Sequence, residues 1–84
     1  MDADSGLSKL AYMVINVATG CESEFIKQLE GMGCDRYRMN CHMVYGVYDV
    51  VAELYGRALP DVKEAAEMIR EIDSVESTLT FVLV

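Results

Sequence analysis

The sequence predicts an α+β domain of element order βαββαβ, in which a four-stranded antiparallel sheet carries both helices on one face. Three observations lead there. Apolar runs rich in β-branched residues stand near both ends, LAYMVINV over 10–17 and VESTLTFVLV over 75–84. Two stretches of helical periodicity lie inside them. Between those stretches sit two strand-like segments joined around a glycine.

The elements follow in chain order. Residues 1–9 are mostly small and polar and read as a flexible tail, with a single domain over 10–84. The run 10–17 is too short for a lone helix and fits a strand buried on both faces. Thr19 with Glu22 three residues on has the spacing of a capping box, so a helix is expected to start there. Phe25, Ile26, Leu29 and Met32 then recur at helical spacing, with Glu22, Glu24, Lys27, Gln28 and Glu30 opposite. Gly31 and Gly33 stop the helix. From Arg36 to Tyr45, period two in Tyr37, Met39, Cys41, Met43 and Tyr45 marks a second strand. Gly46 marks a tight connection to a third strand over Val47 to Tyr55. Pro60 and Asp61, with Glu64 three after Asp61, open a second helix. Its stripe is Val62, Ala65, Ala66, Ile69 and Ile72, with Met68 at the margin. Ser74 breaks it before the last strand.

Two βαβ-like halves with a hairpin between them make a ferredoxin-like fold of the dimeric α/β barrel type. Right-handed crossovers put both helices on one face. The first and last strands are apolar at odd and even positions alike, so the other face is expected to bury itself against a second copy. Composition agrees, because 84 residues that are 52% hydrophobic hold more apolar surface than so small a domain hides well.

Charge limits the partners. The formal net charge is -7, and seven basic residues are scattered along the chain, only Arg36 and Arg38 lying close. Phosphate backbones and anionic membranes need clustered cations, so neither nucleic acid nor membrane is expected as a direct partner. Cys21, Cys34 and Cys41 are odd in number and lack CxxC spacing, which argues against a disulfide framework. With no signal peptide and no run near the ~18 apolar residues of a membrane span, the expected compartment is the cytoplasm.

Few residues suggest chemistry. Gly46-Val47-Tyr48-Asp49 puts an acidic acceptor beside turn amides, a pairing suited to the ammonium and carboxylate of an amino acid, and equally ordinary turn chemistry. Cys34, Cys41 and His42 offer soft-metal donors, but neighbours on a strand point to opposite faces, and alternating apolar residues are usually core. His42 is the only histidine, and no nucleophile stands in an elbow motif. An enzyme of the dimeric α/β barrel type would have only Asn16, Asn40 and His42 to work with. No cofactor is called for.

The run AYMVINV, a glycine and helix, GVYDVVAEL, and a second helix ending IREIDSVESTLTFVLV together resemble the C-terminal effector-binding (RAM) domain of the Lrp/AsnC transcription regulators, particularly its free-standing versions. The likeness covers roughly positions 11 to 84. It is most specific at Gly46-x-Tyr48-Asp49 and at Ile72-Asp73-x-Val75-x-x-Thr78-x-Thr80. The resemblance implies a ferredoxin-like fold that dimerises through its sheets and assembles into rings, here of eight or ten subunits. It implies an amino-acid effector held between dimers, bordered by Tyr45, Gly46, Tyr48, Asp49, Thr78 and Thr80. Tyr45 stands where the family usually has a small Thr, and His42 where an aromatic is common. The segment from Gly33 to Gly46 is a few residues longer than usual. A chain of this kind lacks the helix-turn-helix half of the full regulators, so its expected partners are an effector, further copies of itself and full-length Lrp/AsnC regulators. The alternatives that remain are a small dimeric α/β barrel enzyme and a soft-metal carrier.

Overall fold

A computed structural model describes residues 6–84. Of the tail expected over residues 1–9, residues 1–5 lie outside them. The elements are β1 (Ser8–Val17), α1 (Glu22–Glu30), β2 (Tyr37–Met43), β3 (Val50–Gly56), α2 (Leu59–Arg70) and β4 (Val75–Val82). The sheet order is β2-β3-β1-β4 with every neighbouring pair antiparallel, the ferredoxin-like arrangement that the pattern predicted.

Period two in the strands sorts their side chains. Ala11, Met13, Ile15 and Val17 of β1 and Val50, Ala52 and Leu54 of β3 are buried beneath Phe25 and Leu29 of α1 and Val62, Ala65, Ala66 and Ile69 of α2. Both helices therefore cover one face. The alternate residues of β1, namely Leu10, Tyr12, Val14 and Asn16, are only half-buried in the protomer.

Several boundaries differ from expectation, each for a local reason. β1 begins at Ser8 and not at Leu10, because Ser8 and Lys9 pair with Gly56 and Tyr55 across the sheet. The capping box at Thr19 does not form. Ala18 O and Cys21 N–H close a turn at 2.9 Å, Gly20 takes φ 89°, and Cys21 becomes the N-cap without a side-chain bond. Glu22 instead accepts from Gly20 N–H at 3.1 Å. The connection between β2 and β3 is not tight. Residues 44–49 form a loop closed by Val44 N–H donating to Asp49 O at 3.0 Å. Tyr45, Val47 and Tyr48, expected in strands, lie in that loop, with Tyr45 and Val47 exposed.

Candidate functional site

Tyr45, Gly46, Tyr48 and Asp49 sit together on the β2–β3 loop, at the end of the sheet where β1 finishes. Gly46 has φ 133°, a conformation that side chains rarely adopt, and a Cβ there would meet nothing within 4 Å. Glycine at this position answers backbone conformation and not crowding within the protomer. Met43, Val44, Tyr45 and Val47 make an exposed apolar tip.

Asp49 anchors the loop. Its backbone N–H donates to Ile15 O at 3.0 Å, and its Oδ2 accepts from Val17 N–H at 2.9 Å. β3 has left β1 at this point, so the carboxylate replaces a ladder carbonyl and satisfies a part-buried amide. One oxygen of the residue expected to receive an effector's amino group is thus engaged by its own chain.

Thr78 and Thr80 lie across β1, on the strand at the opposite edge of the sheet from β2. Thr78 pairs with Ile15 and Thr80 with Met13. Within one protomer these threonines do not join the loop residues in one cluster. Thr80 lines a cleft of about 280 Å³ between α2 and the β1–β4 edge. The cleft is floored by Ala11, Val62, Ala66 and Val82 and rimmed by Leu59, Lys63, Glu67 and Arg70. Thr80 Oγ1 is shielded from solvent and has no partner among the described residues. Sequence reasoning singled out Thr80 but not the cleft. Its signal was present in the cations Lys63 and Arg70, seven residues apart on one helix face.

The open sheet face has two halves. Register aligns Leu79, Val14 and Val51 in one row and sets Phe81 beside Tyr12, giving an apolar half. The polar half is organised by Glu53, which accepts from Lys9 Nζ at 3.2 Å and lies 3.9 Å from His42 Nε2. The Lys9 hydrogen bond holds the Glu53 carboxyl below its ordinary range. Asn16 donates to Ser77 Oγ at 3.1 Å.

The residues considered for catalysis, Asn16, Asn40 and His42, all fall on this open face, and the buried residues between helices and sheet are apolar among those described. Cys41 turns toward the helices while His42 turns away, so the two do not converge on one ion. Burial pushes the Cys41 thiol up to about 11 and disfavours the thiolate that binds metals.

No family model matches the chain, and no curated protein does. Solved structures match well. Hypothetical protein PHS023 from Pyrococcus horikoshii is 25% identical over 88% of this chain and 87% of its own, at a TM-score of 0.75. FFRP-DM1 is 25% identical over 88% of this chain and 96% of its own, at 0.76. The domain is Lrp/AsnC-like. MtbAldR, like FFRP-DM1 a protein of the Lrp/AsnC group, shares the fold at 19% identity and a TM-score of 0.78. All of this chain aligns with only 58% of MtbAldR. PHS023 and FFRP-DM1 each align over most of both chains, which supports an Lrp/AsnC-like RAM domain. No helix among the described residues is long and apolar enough to cross a membrane.

Proposed function

We propose that this chain is a regulatory domain that assembles through its open sheet face and binds an amino acid at the β2–β3 loop where dimers meet. The observation that carries the reading is the apolar half-face of Tyr12, Val14, Val51, Leu79 and Phe81, left uncovered in a fold shared with Lrp/AsnC regulators. Such a face needs a partner, and a second copy is the partner that the fold relationship supports. Sheet-to-sheet pairing leaves the loop tips projecting, and Tyr45, Gly46, Tyr48 and Asp49 then border the contact between dimers. Both helices are occupied in covering the sheet, so DNA would be read through a full-length regulator in a mixed assembly, in the cytoplasm.

A thermal-shift screen of the twenty amino acids tests the effector. A ligand bound to the folded state raises the melting temperature by mass action. At least one amino acid should do so, and Tyr45→Ala should change its affinity without changing the stability of the free protein, because Tyr45 is fully exposed. Asp49→Ala is a less direct probe. It strips Val17 N–H of its acceptor and should cost about 1–3 kcal/mol of stability whatever happens to binding. A screen with no hit, or a hit indifferent to Tyr45→Ala, removes the effector site from this loop.

A further inference from the structure

The α2–β4 cleft lies toward the Leu54–Ala11–Val82 row of the sheet, whereas the β2–β3 loop extends beyond the Val50–Ile15–Thr78 row. It is a separate place with its own chemistry. At about 280 Å³ it stands at the small end of ligand pockets. Its floor of Ala11, Val62, Ala66 and Val82 is aliphatic. Thr80 is one of the residues that line it, and the Thr80 Oγ1, shielded from solvent, has no partner among the described residues, whereas buried hydroxyls normally have one.

The rim carries the second, independent observation. Lys9 and Arg36 are engaged with carboxylates elsewhere. Among the described residues Lys63 and Arg70 have no ion pair or hydrogen bond, and both line the cleft. Glu67 is the one acid that lines the cleft with them, so two cations less one anion leave the rim a net single positive charge. An aliphatic floor, a waiting hydroxyl donor and a monopositive rim match one ligand class.

We propose that the α2–β4 cleft binds a short aliphatic carboxylate, with its chain on the alanine and valine floor and its carboxylate toward Lys63, Arg70 and the Thr80 hydroxyl. Burial of the alkyl chain supplies the attraction, and charge-assisted hydrogen bonds fix its direction. The site is complete within one protomer and independent of the effector loop.

Calorimetric titration of the whole protein with sodium hexanoate, 1-hexanol and L-leucine tests this, with amide NMR spectra locating the site. Hexanoate should shift amides of α2 and β4 saturably and bind at least tenfold more tightly than hexanol. Lys63→Gln combined with Arg70→Gln should weaken hexanoate at least tenfold and leave hexanol unchanged. Thr80→Val, nearly isosteric, should weaken hexanoate severalfold and keeps the test alive if the double variant folds poorly. Equal affinity for hexanol would reduce the cleft to an apolar void, and tighter binding of leucine would make the ligand an amino acid and overturn the assignment to a simple carboxylate without an ammonium group. Absence of shifts in α2 and β4, or shifts confined to residues 44–49, would overturn the site.

Discussion

Glu53 couples two residues of the open face that are far apart in sequence. Lys9 reaches it from β1 at 3.2 Å, and His42 stands 3.9 Å away on β2. The hydrogen bond from Lys9 lowers the Glu53 carboxyl from its ordinary 4.5. A carboxylate lowered in the folded state contributes stability that is complete above its unfolded pKa and is lost as pH falls through the folded value. The coupling between Lys9→Met and Glu53→Gln, taken from urea midpoints in a double-mutant cycle, should therefore be present at neutral pH and fade toward zero as pH falls below the ordinary carboxylate range and through the lowered folded-state value. Holding the protein concentration fixed removes any contribution from assembly. A coupling that does not change with pH would mean that the pair contributes nothing as an ion pair. At this scale some roles were legible in sequence and others were not. Gly46 announced a special backbone conformation by being glycine beside a Tyr-Asp pair, and it has one. The bond from Val17 N–H to Asp49 was hidden, because donor and acceptor are 32 residues apart and only the β1–β3 register brings them together.

Gly56 shows what fixes a helix on a sheet. It closes β3, pairs with both Ser8 and Tyr37, and lies beneath the first turn of α2. A Cβ at this position would sit 3.0 Å from Val62 Cγ1 and 3.2 Å from Asp61 Cβ. The neighbour on the helix would have to give, and α2 is held there by Val62, Ala65, Ala66 and Ile69 in the core. Gly56→Ala should cost about 1–3 kcal/mol, read from the urea midpoint, as overpacking does elsewhere. A loss within a few tenths of that of an exposed-site control would show that α2 floats free of the strand. The order of elements was fully legible because periods of 2 and 3.6 are hard to confuse over whole segments. The ends were less so. Thr19 has the spacing of a cap but is taken up by the turn that Ala18 O closes, and the cap moves to Cys21. Val47 and Tyr48 have strand composition, yet Asp49 ties the chain to β1 and leaves them in the loop. In both places a hydrogen bond to a neighbouring segment outweighed local propensity, and composition carries no record of such bonds.

On the scale of the molecule, an 84-residue chain folded as a sheet with helices on one side is half a core. The side beneath the helices is closed: Met13, Ile15 and Val50 are inaccessible to solvent. On the other side Leu79 and Phe81 remain about half exposed, at 46% and 50%, with Val14 between Leu79 and Val51 in the sheet. Burying that row against a second copy removes it from water at about 25 cal/mol per Å², whereas a monomer leaves it wet. A charge at the centre of the row separates the two states, because an unpaired carboxylate in a dry interface costs far more than the same group in solvent. Val14→Asp is the sharpest such change. Its side chain points away from the helices, so the Met13 and Ile15 contacts that hold the protomer are untouched. Wild type at micromolar concentration should scatter light as a dimer or a larger closed assembly, and Val14→Asp should scatter as a 9.4 kDa species with its helical circular dichroism retained. Wild type at the protomer mass, or a Val14→Asp variant that keeps the wild-type mass, would place the partner of this face somewhere other than a second copy.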